Sequence, residues 1–199
     1  MIALVDYGMG NRRSVEKALE HVGAPAVRTG DPEAVARADK VLVPGVGAFP
    51  EAMRRLRAGG LDEAIADRAA AGAPVLGVCL GMQLLFEASR EFEGARGLAI
   101  LPGEVTPLRA PKVPHIGWNR VAFERPGKLT GGLGAAAAFY HVHSLVCRPT
   151  DPAIVVGRGD YGERFASIVE SANVMGVQFH PEKSSRDGLA LLRNFAAAG

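Results

Sequence analysis

The first half of the chain alternates short apolar runs with segments whose apolar residues recur at helical spacing. The apolar runs are IALVD, PAVRT, KVLVP and PVLGV, and the helical segments include NRRSVEKALEHVG, PEAVARA and LDEAIADRAAAG. This alternation predicts a parallel sheet with helices on both faces. Ligands of such sheets bind at the carboxyl ends of the strands, where this chain carries the glycine-rich segments YGMGN, GVGAF and CLGM.

From about Gly97 onward the pattern changes to closely spaced strand-like runs, which predict antiparallel hairpins. These runs are EVTPL, NRVAF, AFYHVHSLV, AIVVGRG, FASIVES and VMGVQF, and an amphipathic helix, SRDGLALLRNFAAA, follows them. No internal repeat or linker interrupts the pattern. We therefore expect a single α/β domain over residues 1–199, in which a central, mostly parallel sheet is flanked by helices and the second half is rich in strands.

Composition and charge argue against a membrane protein and against a nucleic-acid-binding protein. Hydrophobic residues make up 48% of the chain and charged residues 22%, and no apolar run approaches the roughly 18 residues of a membrane span. The net charge is only +2, with arginines spread along the chain, so nucleic acid is not an expected partner. The start at Met1 lacks the features of a signal peptide, and the two cysteines lack a metal-binding spacing. We expect a cytoplasmic protein with free thiols, no metal and no cofactor.

Cys79 is the first candidate for chemistry because it lies where a strand-like run changes to helical spacing. Gly77 and Gly81 flank it two positions away on each side, as a tight strand-to-helix turn requires. The helix predicted from Leu80 to Glu87 would place unpaired N–H groups beside the sulfur and favour its thiolate form. A buried structural thiol is the usual fate of a free cysteine, but the two glycines favour a nucleophile elbow here.

A nucleophilic cysteine needs a base, and the base needs an orienting group. The segment VQFHPEKS supplies both, since His180 follows a predicted strand and Glu182 lies two residues further. Residues two apart in extended chain face the same way, so Glu182 can approach the imidazole of His180. A surface turn would explain this segment alone, but together with Cys79 it favours a Cys-His-Glu triad.

An oxyanion would be stabilised by backbone N–H groups. The first is that of Leu80, directly after the nucleophile. A second could come from VPGVGAF, where Gly45 and Gly47 allow a turn that aims an amide into the crevice. A plain glycine loop is an equally good explanation of that segment by itself.

Other candidates carry weaker signals. His141 and His143 should share one face of a strand, where core or substrate-wall positions fit better than a base, since neither has a carboxylate close in sequence. Cys147 lacks a glycine frame and is assigned no chemistry. The segment DYGMGNRRS does not complete a dinucleotide-binding pattern, because Arg13 stands at the third glycine position; it predicts a tight turn that exposes Asn11.

These residues resemble a known family. GVCLGMQLLFE with VQFHPEKS is similar to the class I (triad) glutamine amidotransferases, over essentially the full length of the chain. DYGMGN, PGVGAF, PHIGWN and HPEKS together resemble the branch of that family that forms the glutaminase subunits of imidazole glycerol phosphate synthases in histidine biosynthesis. Two departures are visible, since His141 and Leu145 stand where that branch is expected to have an aromatic pair.

The resemblance implies specific roles for residues of this chain. Cys79, His180 and Glu182 would form the triad, and the PGVG segment, through Gly47, would carry a switchable oxyanion amide. Four residues would contact glutamine: Gln83 and Glu87, one helical turn apart, and the backbone around His143 and Ser144. The partner would be a cyclase subunit of (β/α)₈-barrel fold, contacted near Asn11, Trp118 and Lys183, which would receive the ammonia directly.

Three alternatives remain at this point. An amidotransferase for anthranilate or guanylate synthesis would share the triad, but Asn11, Trp118 and the HPEKS ending argue against it. A cysteine hydrolase with a similar elbow often has histidine directly after the cysteine, where this chain has Leu80. A regulatory subunit with an inactive site would be expected to lack a triad residue.

Overall fold

The computed structural model describes all residues, 1–199, as thirteen strands and six α-helices. The strands are β1 (Ile2–Val5), β2 (Ala26–Thr29), β3 (Lys40–Val43), β4 (Val75–Val78), β5 (Phe86–Ser89), β6 (Ala95–Arg96), β7 (Leu101–Pro107), β8 (His115–Phe123), β9 (Ala136–His143), β10 (Leu145–Pro149), β11 (Val155–Tyr161), β12 (Glu163–Ser171) and β13 (Val174–Val177). The helices are α1 (Arg12–His21), α2 (Pro32–Ala36), α3 (Phe49–Ala58), α4 (Leu61–Ala70), α5 (Leu80–Leu84) and α6 (Ser185–Ala197), with 3₁₀ turns at Pro152–Ile154 and Pro181–Lys183.

The main sheet has nine strands in the order β2-β1-β3-β4-β13-β12-β11-β8-β9. The first five strands in this order, from β2 at the edge to β13 at the centre, pair in parallel. The last four pair antiparallel. The predicted parallel sheet and the predicted hairpins are therefore both confirmed, joined edge to edge in one mixed sheet. Strands β4 and β13 lie side by side at its centre, so the residues that follow them, Cys79 and His180, start from neighbouring strand ends.

Helices cover both faces of this sheet, and alternating strand residues divide between the two resulting cores. Val41 and Val43 of β3 face a core built with α3 and α4, whereas Leu42 faces a second core built with α1 and α6. Continuous apolar runs are typical of strands buried on both faces. None of the helices is both long and apolar enough to cross a membrane.

Helix α3 was missed by the sequence analysis. Its buried residues recur at helical spacing, at Phe49, Ala52, Met53 and Leu56, and Pro50 occupies its first turn, where proline is favoured. The polar residues between them include a Glu51–Arg55 ion pair on the exposed face. Both signals are present in the sequence.

A second, four-stranded sheet, in the order β10-β7-β5-β6, was not predicted either. The run AFYHVHSLV was expected to be one strand, but it divides at Ser144 between β9 of the main sheet and β10 of the small sheet. The two sheets diverge at this residue. Ser144 O accepts a hydrogen bond from Leu108 N at 2.9 Å, outside both strands.

The helix after Cys79 is shorter than predicted, since it ends at Leu84 instead of Glu87. The carbonyl groups of the next turn accept hydrogen bonds from a distant segment: Leu98 N donates to Leu84 O, and Ile100 N and Leu101 N donate to Leu85 O, each at 2.9 Å. These bonds replace the next helical hydrogen bonds, so the chain turns into β5. Gln83 and Glu87 are therefore not one helical turn apart, as expected, but belong to different elements.

Candidate active site

Cys79 occupies a strained turn between β4 and α5, with φ 56° and ψ −111°. Positive φ is unusual for a residue other than glycine and marks a backbone position that its surroundings must stabilise. The two predicted glycines explain how the turn fits. A Cβ at Gly77 would lie 2.6 Å from the backbone of Gly81, and a Cβ at Gly81 would lie 1.8 Å from Val43 O. The predicted tight strand-to-helix turn is thus present at Cys79, and both glycines are required by packing.

The side chains of His180 and Glu182 meet as predicted. His180 Nδ1 lies 2.9 Å from Glu182 Oε1, and both side chains are buried. Pro181 starts the 3₁₀ turn that links them. Because a carboxylate can only accept, Nδ1 carries the proton in this bond and Nε2 is left for Cys79.

The ionisation of His180 depends on these two neighbours. Burial by itself lowers the pKa of His180, but hydrogen bonds with Cys79 and Glu182, and the negative charges of both groups, raise the pKa to about 10. The imidazole is therefore protonated at neutral pH. A protonated histidine beside a cysteine sulfur is suited to donating a proton to a leaving group.

A cavity of about 280 Å³ opens directly above Cys79. Its walls include most of the predicted site residues: Gly47, Cys79, Leu80, Gln83, His143, Ser144, His180 and Lys183, together with Val46, Glu91, Pro114, Val142 and Leu145. A larger cavity of about 440 Å³ lies beside residues 123–135, and its lining contains none of the predicted catalytic residues. The predicted catalytic residues Cys79 and His180 therefore lie at the smaller cavity.

Glu87 is not part of this cavity, which corrects its predicted position. Its side chain accepts a hydrogen bond from Gly103 N at 2.6 Å and helps join β5 to β7. The carboxylate that does line the cavity is Glu91, which accepts a hydrogen bond from Phe49 N at 2.6 Å. Sequence reasoning missed Glu91 because its position depends on the early end of α5, which local periodicity does not reveal.

Gln83 has a defined orientation in the cavity wall. Its Nε2 group donates to Gln178 Oε1 at 3.2 Å and to Leu145 O at 3.4 Å. Both donor hydrogens are directed at protein acceptors, so the carbonyl oxygen Oε1 is the group left for a ligand.

The rings of His115, His141 and His143 form a cluster at the cavity wall, in which His115 stacks on His141 and His143 lines the cavity. His143 Nδ1 lies 2.9 Å from Leu145 O, and His143 Nε2 lies 3.1 Å from His115 Nδ1. A carbonyl only accepts, so His143 donates from Nδ1 and accepts at Nε2. Burial lowers the pKa of His143 to about 4, so it is neutral and forms a wall, as predicted.

The two positions where an aromatic pair was expected differ in location. His141 is fully buried, bonded to Ser167 Oγ at 2.9 Å, and does not line the cavity, whereas Leu145 does. Burial lowers the pKa of His141 well below its usual range, so it stays neutral in the core.

The profile of the family described as "Glutamine amidotransferase class-I" matches residues 3–198. This chain is 51% identical, over 98% of its length and 93% of the relative's, to "Imidazole glycerol phosphate synthase subunit HisH" of Moorella thermoacetica. A protein of the same name from Syntrophotalea carbinolica is 47% identical over 98% of both chains. The chain belongs to the class I glutamine amidotransferase family. Cys79, His180 and Glu182 all lie in the region that the family profile covers.

Solved structures agree with the class I amidotransferase fold. A chain described as "Crystal structure of glutamine amidotransferase" superposes with a TM-score of 0.79 over 100% of both chains, at 19% identity. A chain of "Structure of PurLQS from Thermotoga maritima" gives 0.77 over 98% of this chain and 96% of the other, at 20% identity. At these identities the likeness concerns the fold alone.

The three residues expected at a partner interface occupy different environments. Trp118 is 56% exposed on β8, next to Tyr140, and Lys183 is an exposed residue of the cavity wall. Asn11 is half-buried, and its Nδ2 group donates to Glu182 Oε1 at 3.1 Å. The contact between Asn11 and Glu182 was not anticipated from the sequence.

Proposed function

We propose that this chain is the glutaminase subunit of an imidazole glycerol phosphate synthase, which hydrolyses glutamine and passes ammonia to a cyclase subunit. The observation that carries the proposal is that Cys79 and His180 line one cavity while Glu182 forms a hydrogen bond with His180. Its assignment to this branch of the family is supported by relatives of 47–51% identity over almost the whole chain. A biosynthetic enzyme with two free cysteines suits the reducing cytoplasm.

The first half of the reaction forms a thioester. The sulfur of Cys79 attacks the carboxamide carbon of glutamine, and the negative charge that develops on oxygen is stabilised by the backbone N–H groups of Leu80 and Gly47. The imidazolium of His180 then gives its Nε2 proton to the nitrogen as the C–N bond breaks. Ammonia leaves, and a glutamyl thioester and a neutral imidazole remain.

The second half restores the enzyme. The neutral His180 removes a proton from water, and the resulting hydroxide attacks the thioester carbon. The C–S bond breaks, glutamate leaves, and Cys79 again faces a protonated His180. Glu182 orients the ring throughout through its hydrogen bond to Nδ1 and stabilises the imidazolium charge.

Glutamine would be oriented by polar groups of the cavity wall. We assign its ammonium group to Glu91 and to the free oxygen of Gln83, since a cation requires acceptors and both side chains line the cavity. The backbone around His143 and Ser144 would bind the remaining polar groups. Glu91 replaces Glu87, which lies outside the cavity, in this role.

The partner that we propose is a (β/α)₈-barrel cyclase, bound over the cavity mouth. Large apolar side chains are exposed on this side: Val46 on the cavity wall, Val113 next to Pro114, and Ile116 and Trp118 on β8 are 41–60% exposed. Exposed apolar side chains close to a polar site are typical of a protein interface. Asn11, Trp118 and Lys183 would contact the partner.

The experiment separates ammonia production from ammonia use. The chain is assembled with the cyclase subunit of an imidazole glycerol phosphate synthase and its nucleotide substrate, and glutamate and cyclised product are both measured. We expect Cys79→Ala to abolish the glutamine-dependent reaction and to leave synthesis from ammonium salts at high pH intact. Glu182→Gln should be less damaging than Cys79→Ala, because it weakens orientation without removing the nucleophile.

Two results would contradict the proposal. Near-normal glutamine hydrolysis by Cys79→Ala would remove Cys79 from the mechanism. Loss of ammonia-dependent synthesis by an intact Cys79→Ala complex would show that the chain does more than supply ammonia.

A further inference from the structure

The glycine-rich segment after β3 has two unlike halves. Pro44 and Gly45 are buried, whereas Val46 and Gly47 are exposed and line the cavity. A Cβ at Gly45 would lie 2.7 Å from Leu80 Cβ and 2.8 Å from Gly81 N, so this half packs directly against the nucleophile elbow. Gly47 has φ +102°, a conformation open to glycine but strained for other residues. One half is thus held by packing, whereas the other is exposed at the cavity.

The buried half is also tied to the first loop of the chain. Tyr7, in the segment that follows β1, is 6% exposed, and its hydroxyl donates to Pro44 O at 2.8 Å. The hydroxyl oxygen of Tyr7 would also lie 2.8 Å from a Cβ at Gly45. Tyr7 does not line the cavity. Its hydroxyl therefore contacts the segment at a point outside the cavity lining.

The tyrosine is suited to remain a hydrogen-bond donor. Burial, and then the negative charge of Cys79, raise the pKa of the Tyr7 phenol. The phenol keeps its proton over the whole range in which the enzyme would work. Since Pro44 O can only accept, the bond has one possible direction.

We propose that Tyr7 is a positioning residue for the oxyanion amide, because its hydroxyl anchors the peptide of Pro44 and confines reorientation to the Val46–Gly47 half. This inference rests on the proposed function, in which the Gly47 amide stabilises the charge formed during glutamine hydrolysis. An oxyanion donor accelerates a reaction to the extent that it is already aligned when the charge appears. A segment that is loose from Pro44 onward would carry the amide with less precision.

The test is Tyr7→Phe, which removes a single oxygen, in the complex with the cyclase subunit. An oxyanion donor acts in the transition state more than in the bound substrate, so kcat for glutamine hydrolysis should fall about tenfold while KM stays unchanged. Tyr161→Phe is the matched control, because the ring of Tyr161 stacks on His115 and its hydroxyl forms no hydrogen bond within the protein. Its kcat should stay within about twofold of wild type.

A second measurement separates positioning from general damage to the site. Alkylation of Cys79 by iodoacetamide generates no oxyanion, so its rate should be the same in Tyr7→Phe and wild type. The inference is overturned if kcat of Tyr7→Phe remains within twofold of wild type, or if kcat and the alkylation rate fall together. A wild-type complex that fails to hydrolyse glutamine would instead overturn the proposed function, and this inference with it.

Discussion

At the scale of single residues, hydrogen bonds from the protein fix the positions of three glutamates in or near the site. Glu182 accepts from Asn11 and His180, Glu91 from the backbone of Phe49, and Glu87 from the backbone of Gly103. Each carboxylate is fixed in a different place by these donors. Only two of the three therefore belong to the site, although all three lie close to the predicted sequence motifs.

The two glutamates after the elbow give the sharpest mutational comparison. Glu91→Gln should raise KM for glutamine about tenfold or more, because a hydrogen bond between charged groups is replaced by one to a neutral amide. Glu87→Gln makes the same chemical change outside the cavity and should leave KM unchanged. Steady-state glutaminase kinetics of both variants test this directly. A rise in KM for Glu87→Gln alone would restore the assignment expected from the sequence.

The pH dependence of glutamine hydrolysis should report the ionisation of His180. Its pKa is about 10, above the ordinary 6.5, so the proton needed for the leaving ammonia is present at neutral pH and lost as pH rises through about 10. We expect kcat/KM to fall on that basic limb. In Glu182→Gln the limb should move to lower pH, because one of the charges that raises the pKa is gone.

The raised pKa of His180 also makes the stability of the folded chain depend on pH. A histidine whose pKa is higher in the folded chain stabilises it below about pH 6.5, and this contribution is lost as pH rises through about 10. Circular dichroism at each pH distinguishes loss of the proton from loss of the fold. A basic limb at the same pH in wild type and Glu182→Gln would contradict the role of Glu182.

At the scale of elements, local periodicity identified the parallel strands, the hairpins and α6 correctly, and the three candidate triad residues were predicted from short motifs near strand ends. Its errors occur where distant backbone decides the outcome. Helix α5 ends early because residues 98–101 donate to its last carbonyls, and AFYHVHSLV divides because β10 pairs with β7. Neither contact leaves a periodic signal within the segment it changes. Helix α3, by contrast, carried such a signal and was overlooked.

The segment that ends α5 depends on a glycine. A Cβ at Gly97 would lie 2.1 Å from Phe86 O and 3.0 Å from Leu84 O. Gly97→Ala should therefore lower the free energy of unfolding by about 1–3 kcal/mol, as overpacking does. Gly131→Ala, where the nearest atom would be 3.7 Å away and φ is not positive, should change it by less than about 0.5 kcal/mol. Urea unfolding compares the two variants. Equal free energies of unfolding would show that residues 97–101 shift at little cost to accommodate the added methyl group.

At the scale of the whole molecule, the cavity lies where the parallel strands end, and exposed apolar side chains lie on the same side. Trp118 and Ile116 project from alternate positions of β8, and Val46 lies on the exposed half of the glycine-rich segment after β3. A partner that covers this face would touch the segment for which we propose reorientation. Glutamine hydrolysis should consequently be slow in the isolated chain and faster in the complex.

Substitutions on this face should affect coupling more than chemistry. In complexes that contain Trp118→Ala or Lys183→Ala, we expect more glutamate to form for each cyclised product, because ammonia escapes at a disturbed interface. Val27→Ala is the control, since Val27 is also apolar and 49% exposed but lies on the edge strand β2. Both products are counted in one reaction. Unchanged ratios in both interface variants would argue against direct transfer of ammonia.

The division of one extended run between two sheets has an evolutionary consequence. Around Ser144 the polar groups at the cavity belong largely to the main chain: Val142 O lies 3.7 Å from Cys79 Sγ, and Leu145 O accepts from both Gln83 and His143. Main-chain groups are supplied by every residue type, so substitutions at positions 141 and 145 can accumulate without removing a single one of them. For these contacts the backbone path around Ser144 therefore matters more than the side chains at positions 141 and 145.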